Sequence, residues 1–221
     1  KQESVLKTVN GIRPEFIEAT GKIIEEAEKV FQKINHEMLL PLADHIALAA
    51  KRAKENRQIP NPFTPDIRVL FGEEYQVALK GREIIQQLTG YEISEDEVGF
   101  ITLHIHAGLS DEAVSQTLDT TRIVNEGIAM IEQEFDQKLE SGSLGCTRLM
   151  SHMYYMILRT RKGEGTNADF NDFIFQNYPR TGEAAKKVCD YMSRQLKQPV
   201  AKEEIGFLAI HIQRVISPDT V

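Results

Sequence analysis

Six of the 221 residues are histidine, and four of them pair at one offset. Sliding the chain by 107 residues lays His45 on His152 and His104 on His211, with no gap between the anchors. In each copy the two histidines stand 59 residues apart. A neutral imidazole near pH 7 offers a nucleophilic nitrogen that needs no activating base. It can serve as a metal ligand, as an acid or base, or as a phosphoryl acceptor. Metal sites usually group ligands as His-Glu-x-x-His, or as Glu-x-x-His pairs in a bundle, and neither is present. His104 and His106 form His-x-His, but Gln213 breaks that pair in the second copy. His36 and His106 therefore read as ordinary residues. Ser151 lies beside His152 as a nucleophile would, yet Asp44 fills that place in the first copy. No glycine-rich phosphate loop is present. Neither catalytic nor metal-ligating residues are assigned, and no cofactor is expected.

Phosphoryl acceptance fits the pattern better. A phosphohistidine needs donors close by, and Arg52 and Arg159 each follow a histidine by seven residues, two turns along the same helix. The runs "KRAKENR" (51–57) and "RTRK" (159–162) add positive charge. Two blander readings stand beside this one. Basic residues commonly finish helices because they complement the dipole, and a histidine on an apolar face can simply pack.

The elements that must position these groups are repeated too. "EVGFITLHIHAG" (97–108) returns as "EEIGFLAIHIQR" (203–214), and Glu, Gly, Phe, His and Ile recur unchanged between Glu97–Ile105 and Glu204–Ile212. Phe71 falls on Tyr178, opening "FGEEYQVALKGREII" and "YPRTGEAAKKVCDYM". The chain is two copies of one domain, placed at 1–112 and 113–221. Each copy reads as helical. "PEFIEATGKIIEEAEKVFQKI" sets Phe16, Ile17, Ile23, Ile24, Ala27 and Phe31 on an amphipathic stripe. In "HEMLLPLADHIALAAKRAK", Pro41 marks a start or a kink. Thr89-Gly90 is a helix stop. Ser94 and Glu97 have capping-box spacing. The run from Val98 to His104 also suits a strand by alternation, but the cap and the helical neighbours favour helix. "PNPFTP" (60–65) and "KGEGTN" (162–167) read as matching loops. The expected fold is all-α, two tandem homologous helical bundles.

Composition narrows the function. With 41% hydrophobic residues, 14 Gly and 8 Pro, the chain can bury an aliphatic, helix-rich core. No apolar run reaches the ~18 residues of a membrane helix. A net charge of −7 excludes a nucleic-acid grip by this segment. Cys146 and Cys189 do not match between copies, which suits a reduced, cytoplasmic protein. The chain starts at Lys and is read as an excised fragment, so a missing targeting signal proves little.

"DHIALAAKR", "EDEVGFITLHIH" and "EEIGFLAIHI", at this duplicated spacing, resemble the PTS regulation domains of bacterial transcriptional antiterminators, the BglG/SacY family. The resemblance covers essentially the whole chain. It implies helical bundles that dimerise through like domains, and phosphorylation of histidines by the sugar phosphotransferase system. By motif these are His45 and His104 in the first domain, His152 and His211 in the second. It also implies two partners. The sugar-specific enzyme IIB acts on the first domain and switches the regulator off, while the carrier HPr acts on the second and activates it. Asp44 matches the family's acidic residue beside the first histidine, whereas Ser151 departs from it. With Arg52 and Arg159, Asp44 would stabilise phosphate or dock the partner. RNA would be bound only through a short N-terminal domain that nothing here matches. The module would not be an enzyme. Alternatives remain at this point: a DNA-binding transcription activator carrying the same domains, a histidine-ligated helical metalloprotein, or a dimerisation scaffold in which the histidines only pack.

Overall fold

The computed structural model describes residues 11–216. Among them lie ten α-helices, one short 3₁₀ turn and no strand. The all-α expectation holds, and the chain divides into two compact units, Lys1–Leu118 and Asp119–Val221.

The first unit begins with α1 (Pro14–Val30), whose proline occupies the first turn, where its missing N–H costs nothing. The stripe seen in the sequence faces inward: Phe16, Ala19, Ile23, Ile24 and Ala27 are buried. After a 3₁₀ turn (His36–Met38) comes α2 (Leu39–Lys54), with Pro41 in its first turn rather than at a kink. The short α3 (Thr64–Leu70) already starts at Thr64-Pro65, so "PNPFTP" is only partly loop. α4 (Gly72–Thr89) stops at Gly90, which takes φ +74° and returns its N–H to Gln86. α5 (Glu95–Leu109) is the ambiguous apolar run, and it is a helix. α1 packs on α4 and α2, while α5 packs on α4, α3 and α2.

α6 (Val114–Phe135) carries the division between the units within its first turns. The second unit continues with α7 (Leu144–Lys162), α8 (Asn171–Asn177), α9 (Pro179–Leu196) and α10 (Glu204–Gln213). α10 packs on α9, α7 and α8. Both bounds of α8 and of α9 lie 107 residues after those of α3 and α4. Even the junctions repeat: Phe71 has φ −125° and ψ 52°, Tyr178 φ −137° and ψ 55°. The first core is built mainly from Ile and Ala, with Tyr75 buried in it. The second adds Met150, Met153, Met156 and Met192 to its aliphatic residues and also buries the unbridged Cys146 and Cys189.

One packing detail bears directly on the histidines. A Cβ at Gly99 would meet Asn61 Nδ2 and Thr64 Oγ1 at 3.0 Å. At Gly206 it would meet Asn171 Oδ1 at 2.9 Å and the backbone of Phe170 at 3.1 Å. The repeated glycine therefore lets the start of the short helix seat directly on the helix that carries His104 or His211.

Candidate functional site

On α2, His45 and Arg52 are seven residues apart, and on α5 so are Glu97 and His104. Seven residues is close to two helical turns, so each pair shares a face. The helices run antiparallel, and the faces meet as two rungs. His45 lies against His104, ring centroids 4.9 Å apart, and Arg52 against Glu97. The second unit repeats this with α7 and α10. His152 lies on His211 at 4.4 Å, and Arg159 pairs with Glu204. All four predicted histidines and both arginines thus come together, two histidines and one arginine in each unit.

The glutamates complete the sites. Glu97 and Glu204 are each 2% exposed, and a carboxylate so buried needs a charged or hydrogen-bonding partner. Arg52 donates from Nε and Nη2 to Glu97 Oε1 at 2.9 and 2.7 Å, while His45 Nε2 sits 3.0 Å from Oε2. Burial alone would raise the Glu97 carboxyl, but the bonds from His45 and Arg52 outweigh it and hold it below its usual value. Arg159 instead divides its donors between the two oxygens of Glu204, at 2.8 and 3.0 Å. His152 Nε2 is left 3.9 Å from the carboxylate, buried and without a hydrogen-bond partner.

The sequence expected Glu97 to close a capping box. Ser94 does accept the Glu97 N–H, but the Glu97 side chain turns to His45 and Arg52 instead. Its duplication as Glu204, seven residues before the second-rung histidine, was the signal that could have found it. Asp44, expected beside the phosphate, is exposed on α2, and the carboxylate that meets His45 is Glu97.

His104, His152 and His211 are kept neutral. Burial, with help from His45, pushes His104 down to about 4. Burial, His211 and Arg159 push His152 down to about 3. His211 is lowered as well, by burial and then by Arg214 and Arg148. At neutral pH these rings keep lone pairs, which a phosphoryl acceptor requires. His104 also lines an open cavity of about 880 Å³ with Met38, Pro41 and Phe100, through which a donor could reach it. Among the described residues no three His, Cys, Asp or Glu side chains are placed to hold a metal ion. No helix among them is long and apolar enough to cross a membrane.

The profile of the PRD domain matches twice, at residues 21–108 and 123–215. The chain belongs to the PRD-domain family. Each match encloses one histidine pair with its arginine and glutamate. The "GlcA/glcB genes antiterminator" of Staphylococcus carnosus (strain TM300) is 31% identical over 95% of this chain and 70% of its own length. "Protein GlcT" of Staphylococcus saprophyticus is 30% identical over 89% of this chain and 69% of its own. A solved chain, "Crystal structure of GlcT CAT-PRDI", aligns with TM-score 0.45 at 30% identity, over 47% of this chain and 62% of that one. The relatives are thus longer than the segment they share with this PRD pair.

Proposed function

We propose that this PRD pair is the phosphorylation-controlled regulatory module of a cytoplasmic transcriptional antiterminator. It is not an enzyme: it accepts phosphoryl groups from HPr and from a sugar-specific enzyme IIB of the phosphotransferase system. The acceptors are His45 and His104 in the first unit, His152 and His211 in the second. The observation that carries this reading is the duplicated site, two facing imidazoles beside a guanidinium, built twice at one offset. Kinship with antiterminators supports the output, which would act on RNA through a segment outside this chain.

Phosphorylation replaces a neutral ring with a group carrying nearly two negative charges. Two unit charges 6 Å apart at an effective dielectric of 20 interact by about 3 kcal/mol. Between like domains of a homodimer such repulsion shifts the equilibrium by orders of magnitude. Partnered by Arg52 or Arg159, the same charge can brace the fold instead, so one modification can act with opposite sign in the two units.

The test is to incubate the chain with phosphoenolpyruvate, enzyme I and HPr, with and without enzyme IIB, and to map acid-labile phosphate by mass spectrometry. Phosphate on His152 or His211 from HPr alone, and on His45 or His104 only with enzyme IIB, is the expected result. Absence of phosphate from all four, with active carriers, would overturn the proposal.

A further inference from the structure

We propose that Glu97 is the positioning residue for phosphoryl transfer to His45, holding the ring as its Nε2–H tautomer so that Nδ1 is the acceptor nitrogen. Glu204, drawn onto Arg159, does not do this for His152. The inference rests on the reading above and deepens it.

An ionised carboxylate only accepts hydrogen bonds. A contact of 3.0 Å between His45 Nε2 and Glu97 Oε2 therefore requires Nε2 to carry the proton. In the neutral ring, the form that can accept phosphate, the lone pair is then on Nδ1. Arg52 places both of its bonds on Oε1, and Oε2 is left to the imidazole. Phe100, 5.7 Å from the His45 ring, packs against it from α5. In the second unit Arg159 occupies both oxygens, and the His152 Nε2 stands beyond hydrogen-bond range. Phe207 there packs on Phe170 at 5.1 Å. Among the described residues no hydrogen bond to Nε2 selects a tautomer of His152.

The transfer then runs as follows. The Nδ1 lone pair of His45 attacks the phosphorus on the phosphorylated side chain of enzyme IIB. The new N–P bond forms as the bond from phosphorus to the donor's sulfur or nitrogen breaks, and that electron pair stays on the donor atom. The donor leaves as a thiolate or a neutral imidazole. Positive charge develops on the His45 ring, whose Nε2–H remains bonded to the negative Glu97. A carboxylate that orients an imidazole and stabilises its cationic form is an established device in acyl transfer.

Two readouts test this on the ¹⁵N-labelled chain. Long-range proton–nitrogen spectra of the unmodified protein should show His45 as the Nε2–H tautomer and His152 as a mixture. After phosphorylation by enzyme IIB, the same spectra should place phosphorus on Nδ1 of His45. Glu97→Gln should mix the His45 tautomers and slow its phosphorylation roughly ten- to a hundredfold, the worth of one hydrogen bond to a charged group. Arg52→Gln loosens the same helix pair but should leave the tautomer as it is, which separates positioning from structure. Phosphorus on Nε2, or a Glu97→Gln protein with unchanged tautomer and rate, would overturn the proposal. Should Glu97→Gln fail to fold, the nitrogen carrying phosphorus in the unsubstituted chain still decides. A chain that takes phosphate on other histidines but not on His45 overturns this proposal alone; one that takes none on any of the four overturns the phosphorylation reading itself, and the tautomer then reports separately on Glu97.

Discussion

Glu97 and Glu204 stand at the same step of the same repeat, yet they divide their oxygens differently. Arg52 concentrates two donors on one oxygen of Glu97 and leaves the other to His45, while Arg159 spreads over both oxygens of Glu204 and leaves His152 unpaired. The ring pairs differ in step. His45 and His104 are tilted by 44° at 4.9 Å, while His152 and His211 lie flatter, 27° at 4.4 Å. One set of residue types at one spacing thus gives two states of a nucleophile: one ring pinned by a carboxylate, the other set against a second imidazole. A small change in how a guanidinium docks is enough to separate them.

Removing the arginines should have the largest effect. Arg159→Ala leaves Glu204 buried with its nearest cation gone, and stranding one partner of a buried pair costs about 3–5 kcal/mol. Arg52→Ala should cost less, because His45 still bonds Glu97. Amide exchange along α10 and α5 measures each unit separately, and equal acceleration in both would contradict the asymmetry.

Next comes the glycine. Gly206→Ala drives a Cβ into the backbone of Phe170 and Asn171, whereas Gly99→Ala meets only the side chains of Asn61 and Thr64. Backbone yields less than side chains, so Gly206→Ala should cost up to about 3 kcal/mol and Gly99→Ala clearly less. Thermal unfolding of the two variants checks the order, and the reverse ranking would show that the α8 start can shift at little cost.

A third contrast concerns His106, read as ordinary because Gln213 replaces it in the second copy. It sits 3.0 Å from Glu74 and 3.6 Å from Glu112, with Phe71 against its ring at 4.3 Å. Burial would lower it, but bonds to Glu112 and Glu74 raise it to about 8. The second unit makes the same helix–helix contact without charge: Thr181, at the position of Glu74, donates to Gln213 at 2.6 Å. Because the folded value is raised, His106 contributes its full stability below 6.5 and loses it as pH rises through about 8. The swing is about 2 kcal/mol. His104 is lowered to about 4 and changes charge below this window. His106→Gln with Glu74→Thr should make urea midpoints flat between 6.5 and 8, and an unchanged slope would place the titration elsewhere.

These contrasts show where the sequence was legible. The repeat, the helices, the four histidines and the two arginines follow from identity at one offset and from periodicity. Spacing puts His45 and Arg52 on one face, but it does not say which face lies opposite. The partner role of Glu97 therefore stayed hidden behind an equally good local pattern, Ser-x-x-Glu. Burial decided between them, since a carboxylate 2% exposed must find a cation before it serves a cap. His106 was lost for the opposite reason. It breaks the repeat, but so does Glu74, and the paired exchange of Glu74 and His106 for Thr181 and Gln213 is visible once both positions are read together.

The smallest effect separates the two halves of the cap. Ser94 accepts the Glu97 N–H at 3.3 Å and so fixes the turn from which the Glu97 side chain reaches His45. The second unit has Ala201 at that place, whose backbone carbonyl takes the Glu204 N–H at 3.0 Å instead. Ser94→Ala should therefore cost about 1 kcal/mol, the usual worth of an N-cap side chain. The loss should appear first as faster exchange at residues 95–98, before any change in α2. If those amides keep their protection, the Glu97 side chain, held by His45 and Arg52, anchors its own helix end. The first unit would then resemble the second, with the ion pair rather than the cap fixing where the helix begins.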